Sequence, residues 1–143
     1  MKILSILHSF LEKADITGKW KMERIFAGRD RLSADDFYTR YFRDQGYPED
    51  TVIRIKKVFD SNIGFDLSRL SAEDDFSKEL NFIWNYDSLS DVEAVVGLER
   101  EFGIKIDDSE AGKMKTIKDV VQVVHAKLNN GHSTKSLALH RPF

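Results

Sequence analysis

The apolar residues of this chain recur with the period of an α-helix along most of its length. The pattern is clearest in one run of apolar residues on a single helical stripe: Leu89, Val92, Val95, Val96, Leu98 and Phe102. A half-buried strand would instead alternate apolar and polar residues, and no segment of the sequence does so convincingly. The sequence therefore predicts an all-α fold, with Gly103 ending this helix.

Capping residues and helix breakers predict where the earlier helices begin and end. The N-terminal stripe consists of four apolar residues: Ile3, Leu7, Phe10 and Leu11. Ser33 is suited to cap a second helix, and Pro48 to open a third helix that stops near Gly64. The second helix carries three aromatic residues: Phe37, Tyr41 and Phe42. Residues 65–85 are predicted to form a long connection, pinned to the core by five anchors: Phe65, Leu67, Leu70, Phe76 and Leu80.

The last third of the chain predicts two more helices. Ile104 and Ile106 form a short apolar plug, and a brief helix follows it. The final helix carries a second clear stripe: Ile117, Val120, Val121, Val124 and Leu128. The Asn-Asn-Gly run at 129–131 is predicted to end that helix. Residues 130–143, which have no strong period, are predicted to form a disordered tail.

Composition excludes several kinds of protein and of site. A chain of 143 residues with 41% hydrophobic and 32% charged residues is typical of a folded domain rather than of a disordered segment. Cysteine is absent, which excludes disulfides, thiolate zinc sites and thiol nucleophiles, and agrees with a cytoplasmic location. No apolar run approaches the roughly 20 residues that a membrane span needs.

Charge is distributed unevenly along the chain. Residues 71–110 contain twelve acidic and three basic residues, a net charge of −9. Such a surface disfavours nucleic acid and favours a basic protein partner. Residues 19–31 carry a net charge of +3 and are interpreted as a solvated linker; the alternative is that they fold over the acidic helix or recruit a partner. The acid run at 73–75 lacks the spacing of a calcium loop, so no metal site is predicted.

Two serines stand at the start of the acidic helix, Ser88 and Ser90. Ser90 and Glu93 have the S-x-x-E spacing of a capping box, which favours a structural role for Ser90. Ser88 can be a second capping residue or a point of chemical attachment. The free N–H groups and the positive end of the helix dipole favour a phosphate group at such a position.

Residues 52–128 resemble the acyl carrier proteins. The family's attachment motif is matched by Asp87, Ser88 and Leu89, and the run VEAVVGLEREFGIKIDDSEAGKMKTIKDVV that follows is similar to the family's pattern. The resemblance implies an up-and-down helical bundle with a short third helix. It also implies a 4′-phosphopantetheine arm on Ser88, installed from coenzyme A by a phosphopantetheinyl transferase, with acyl groups held as thioesters. The chain itself is expected to catalyse no reaction, because nothing in it resembles a catalytic triad.

The resemblance further implies that the acidic helix docks on basic-surfaced enzymes that transfer or activate acyl groups. The candidate docking residues are Asp91, Glu93, Val96, Glu99 and Glu101. On the other interpretation, these acids form an ordinary solvated face and Val96 belongs to the core. A different kind of protein, an unmodified interaction module that works through its acidic helix, stays open as the alternative. The chain is expected to act as a monomer, and a homodimer joined through residues 1–46 stays open as the alternative.

The sequence departs from the family pattern in two places. The segment NFIWNY, residues 81–86, replaces the short glycine-containing loop before the attachment serine, and residues 1–46 form an added helical extension. The predicted organisation is thus an extension at 1–46, a bundle at 47–129 and a tail at 130–143. Because the extension's apolar residues need cover, we expect it to pack on the bundle, with Phe82 and Trp84 in the interface.

Overall fold

The fold is all-α, as the sequence predicts. The computed structural model describes residues 18–86 and 90–139, and within these ranges it contains seven helices and no strand. The helices are α1 (residues 18–26), α2 (Ala34–Tyr41), α3 (Glu49–Asn62), α4 (Phe82–Tyr86), α5 (Ser90–Phe102), α6 (Asp108–Gly112) and α7 (Ile117–Leu139). The N-terminal stripe of residues 3–11 lies outside the described residues, as do 87–89 and 140–143.

Most predicted helix ends are confirmed. The Ser33 hydroxyl accepts a hydrogen bond from the Asp36 N–H at 3.1 Å and caps α2. Pro48 lies at the N-cap of α3, one position before the first helical residue. Gly103 has a φ of +63°, the left-handed conformation that glycine adopts without strain, so α5 ends at Phe102.

Helix α3 is the centre of the bundle, because α2, α5 and α7 all pack against it. The predicted anchors of the long connection join the same core: Leu67, Leu70, Phe76 and Leu80 are buried, and Phe65 packs against them partly buried. The last helix contributes Ile117, Val120, Val121 and Val124, which are all buried. The connection is therefore held in place by its apolar side chains, although it contains little regular structure.

Two expectations from the sequence are wrong. Residues 19–31 are not a solvated linker, because residues 18–26 are helical and bury Met22 and Phe26 in the core. The last helix does not end at 129–131 but continues to Leu139, into the range assigned to a disordered tail. Asparagine and glycine lower helix propensity by only about 1 kcal/mol, and no proline interrupts the chain before Pro142.

The extension shares its core with the bundle. Its buried residues Met22, Phe26, Phe37 and Phe42 belong to one cluster with the buried residues of α3, α5 and α7. The Leu32 N–H also donates to the Ser68 carbonyl at 2.7 Å, which ties the extension to the long connection. Packing of the extension on the rest of the chain is thus part of the main core.

Ion pairs also join the extension to the long connection. The most buried of these pairs is formed by Arg29 and Asp74. The Arg29 guanidinium donates to both carboxylate oxygens of Asp74, at 2.6 and 3.2 Å. Asp74 is only 6% exposed, and its Oδ2 also accepts the Ser71 N–H at 2.7 Å. The hydrogen bond to Asp74 raises the pKa of Arg29 above its ordinary value. Arg69 and Glu23 form a second bidentate pair nearer the surface, at 2.5 and 3.2 Å.

We predict that Arg29→Met lowers the free energy of unfolding by about 2–4 kcal/mol, because it leaves the buried Asp74 carboxylate without its cation. Arg40→Met is the matched control, since Arg40 pairs with Asp30 at 3.2 Å where both side chains are largely exposed. The control should cost less than about 1 kcal/mol. Urea denaturation of the two variants measures the difference, and equal losses would contradict a special role for the Arg29–Asp74 pair.

Candidate attachment and docking site

The predicted attachment residues connect two helices. Helix α4 ends at Tyr86 and α5 begins at Ser90, so Asp87, Ser88 and Leu89 link the two helix ends. These three residues lie outside the described part of the chain, and the attachment role of Ser88 stays a prediction. Ser90 is the first residue of α5, and the capping box that the sequence suggests for it with Glu93 also stays a prediction.

Helix α4, which precedes the attachment segment, is held in place by contacts between aromatic side chains. Ile83 is fully buried. The Phe82 ring packs edge-on against Phe65, with centroids 5.7 Å apart, and the Trp84 ring lies tilted on Phe76 at 5.2 Å. The bulky segment before Ser88 is therefore anchored in the core. Sequence reasoning identified this segment as unusual but did not predict that it forms a helix.

The extension reaches the same segment through one side chain. The Lys21 amino group lies over the Phe82 ring, 5.6 Å from its centroid. Trp84 packs instead on Phe76 of the long connection. The expected interface between the extension and the segment before Ser88 is thus present at Phe82, through a cation–π contact.

An apolar pocket of about 390 Å³ opens between α4, α5 and α6. One wall carries three aromatic side chains, Phe59, Phe76 and Trp84, and α5 contributes valines that include Val92. Met114, after α6, lines the pocket as well. Asp91 in the first turn of α5 is among the lining residues, so the pocket extends to the helix start that follows Ser88. The sequence did not predict this pocket.

The start of α5 combines exposed acids with exposed valines. Asp91 and Glu93 are exposed, and Val92 and Val96 are 54% and 41% exposed. The predicted apolar stripe is therefore divided, because the helix turns Ala94 and Leu98 into the core. The exposure of Val96 disagrees with the interpretation that places this residue in the core and leaves it available for contact with a partner. This surface is what an electrostatically guided docking site with apolar contacts requires.

Glu99 and Glu101, farther along α5, differ from the first two acids because each accepts a hydrogen bond from a residue outside α5. The Glu99 Oε2 accepts the Ile106 N–H at 2.9 Å and fixes the turn after α5. Glu101 accepts from the Arg54 Nε at 2.8 Å, and this hydrogen bond raises the pKa of Arg54 above its ordinary value. The same guanidinium stacks on Phe102, 4.5 Å from the ring centroid. These two acids therefore have structural roles that sequence spacing did not reveal.

Residues 18–86 and 90–139 contain no group of three histidine, aspartate or glutamate side chains placed to hold a metal ion. No helix in these ranges has both the length and the apolar character of a membrane span.

Three similar proteins from different organisms are all acyl carrier proteins. The acyl carrier protein of Trieres chinensis is 34% identical over 79 residues, which cover 55% of this chain and 94% of that protein. The acyl carrier protein of Thermosynechococcus vestitus is 35% identical over 75 residues, covering 52% and 88%. That of Helicobacter hepaticus is 40% identical over 77 residues, covering 54% and 96%. No family model matches the chain, and no solved structure matches it significantly.

These relatives are each matched over nearly their whole length, and the helical bundle described above agrees with the fold that the sequence motifs imply. The match covers about half of this chain. The chain belongs to the acyl carrier protein family.

Proposed function

We propose that the chain carries acyl or related intermediates as thioesters on a 4′-phosphopantetheine arm attached to Ser88, and delivers them to partner enzymes. The observation that carries this proposal is the match to acyl carrier proteins, together with the Asp87-Ser88-Leu89 motif between α4 and α5. The arm, when bound, supplies the terminal thiol that the cysteine-free chain lacks.

The described residues suit such a role on both sides of the attachment segment. The apolar pocket extends to Asp91 and Val92 in the first turn of α5, close in sequence to Ser88. An apolar group held on the arm gains free energy when it leaves water, so this pocket is the place where cargo would be sheltered. The chain's own task is then to bind and shelter the cargo, and we propose that catalysis is left to its partners.

We further propose that partner enzymes and the phosphopantetheinyl transferase dock on the start of α5. Asp91 and Glu93 would attract a basic surface, and Val92 and Val96 would supply apolar contact once the two proteins meet. Long-range attraction raises the rate of encounter, whereas a small contact area allows the carrier to leave after delivery. Glu99 and Glu101 contribute charge to this surface while holding Ile106 and Arg54.

The alternative is an unmodified interaction module that uses the same acidic surface. Exposure of Val92 and Val96 beside Asp91 and Glu93 favours docking under either function, and so it does not favour one of them. The two functions differ in whether Ser88 is modified. Modification is therefore the decisive measurement.

We predict that the purified chain gains the mass of one phosphopantetheine when it is incubated with coenzyme A and a broad-specificity phosphopantetheinyl transferase. Ser88→Ala should remove this gain, because the alanine has no hydroxyl to attack the pyrophosphate of coenzyme A. Intact-protein mass spectrometry measures both results. Ser90→Ala is the matched control and should keep the gain.

The outcome separates the two functions. An unchanged mass for the native chain, in conditions that modify another carrier protein, would support the unmodified module. A gain in mass that persists in Ser88→Ala would instead place the attachment at another residue.

We predict that reversing both early acids, Asp91→Lys with Glu93→Lys, slows the transferase reaction at low salt by about tenfold or more, because electrostatic attraction guides the encounter. The free energy of unfolding should fall by only about 1 kcal/mol for each substitution, because both acids are exposed but lie in the first turn of α5, where a carboxylate interacts favourably with the helix dipole. Initial rates at low and high salt measure the effect, which added salt should reduce.

The control for this prediction keeps the change in net charge but moves it elsewhere. Asp44→Lys with Glu73→Lys alters two exposed acids outside α5, in the α2–α3 loop and the long connection. This pair should change the rate by less than about twofold. Equal slowing by the two double variants would mean that net charge, rather than the start of α5, governs the encounter.

A further inference from the structure

We infer that Trp84 sets which apolar cargo the pocket accepts, by limiting the length of the chain that fits within it. This inference rests on the proposed carrier function and concerns a residue in the segment where the chain departs from the family pattern. Trp84 lines the pocket and belongs to α4, the helix that ends immediately before the attachment segment.

The aromatic wall is built in layers, and Trp84 is its outermost member. Phe59 and Phe76 are 4% and 2% exposed, and their rings lie tilted at a centroid distance of 5.8 Å. Trp84 continues the series on Phe76 at 5.2 Å and is only partly buried. The inner two rings form a fixed floor, so the pocket volume on this side depends on how far the indole projects into it.

The position of the indole is determined by its neighbours in α4. Ile83 is buried in the core and Phe82 packs against Phe65, which prevents α4 from rotating. The Phe76 N–H donates to the Lys115 carbonyl at 2.8 Å and joins the floor to the segment that carries Met114. Trp84 and Met114 both line the pocket, and of these two the indole is the larger and stiffer side chain.

The remaining lining contains no comparable restriction. Besides Met114, the other lining residues are all non-aromatic: Asp91, Val92, Ala94, Val95 and Val96 of α5, Ile106, and Asp108 and Ala111 of α6. Removing the indole therefore enlarges the pocket without removing a core side chain such as Phe59 or Phe76, and it leaves the sequence of α5 unchanged. We therefore expect Trp84, in the segment NFIWNY, to limit the length of the acyl chain that the pocket holds.

The test uses the full chain in a Trp20→Phe background, because Trp20 is 61% exposed on α1 and does not line the pocket. The remaining indole emission then reports on Trp84 alone. The chain is loaded by the transferase with a series of straight-chain acyl-pantetheine groups from four to sixteen carbons. Two quantities are measured for each length: the Trp84 emission, and the half-life of the thioester in hydroxylamine.

With Trp84 present, we expect the half-life to rise by about fourfold for each methylene that enters the pocket, and then to stop rising at a limiting length. Trp84 emission should change over the same lengths and stop changing at the same limit. Trp84→Ala should move the limit in half-life to a longer chain. Trp84→Phe, which keeps a ring against Phe76, should give an intermediate limit and serves if the alanine variant does not fold.

Several outcomes would overturn the inference. Emission that is constant across the series would mean that cargo does not contact Trp84, and an unchanged limit in the folded Trp84 variants would mean that another residue sets it. Met114→Ala controls for volume alone: a larger shift than that of Trp84→Ala would move the limit to the α6 side. Failure to load any acyl-pantetheine group is a different result, visible as an unchanged mass, and overturns the carrier function together with the inference.

Discussion

The close packing of α5 on α3 is the constraint on which the candidate site depends. Gly97 lies at the contact, and a Cβ atom built at this position would be 2.9 Å from both Val58 and Asn62 side-chain atoms. Those neighbours are themselves fixed, since the Asn62 side chain donates to the Val58 carbonyl at 2.7 Å. Because α5 approaches α3 along this face, its opposite side, with Val92 and Val96, is left to solvent and to the pocket.

The extension covers a buried charge on α3. Lys56 is 1% exposed, and its amino group is paired with Asp60 at 2.5 Å and lies 5.3 Å from the centre of the Phe37 ring. A buried ammonium group requires such partners because its removal from water is costly. Phe37 of α2 therefore covers both the apolar surface of α3 and this charge, which explains why residues before the bundle belong to its core.

Much of the fold follows from local rules that the sequence displays. Ser33, Pro48 and Gly103 mark helix ends because capping and left-handed backbone depend on single residue types, and the stripe of α7 depends only on spacing. The two failures have different causes, one tertiary and one local. Residues 19–31 look like a charged linker, yet Met22 and Phe26 are enough to bury one face of α1. The Asn-Asn-Gly run looks like a helix end, but its weak propensity does not stop α7.

The candidate site, too, has features that the sequence shows and features that appear only in the folded chain. The serine motif and the acidic helix are visible in the sequence because both are local patterns. The sequence does not show that Glu99 and Glu101 differ from the other acids of α5. That difference depends on Ile106 and Arg54, which approach these two acids only after the chain has folded. The pocket also requires residues from separate elements, with Phe59, Phe76 and Trp84 brought together from α3, the connection and α4.

The acidic residues of α5 differ between the two ends of the helix. The first turn of α5 carries acids that are exposed, whereas the last turns carry acids whose hydrogen bonds hold α5 to the following segment and to α3. A partner that docks on the first turn, as proposed, would leave these hydrogen bonds undisturbed. The pocket adjoins that same first turn, so the proposed docking surface and the proposed cargo site are neighbours. An enzyme that docks on Asp91 and Val92, as proposed, would therefore also approach the pocket that is proposed to hold the cargo.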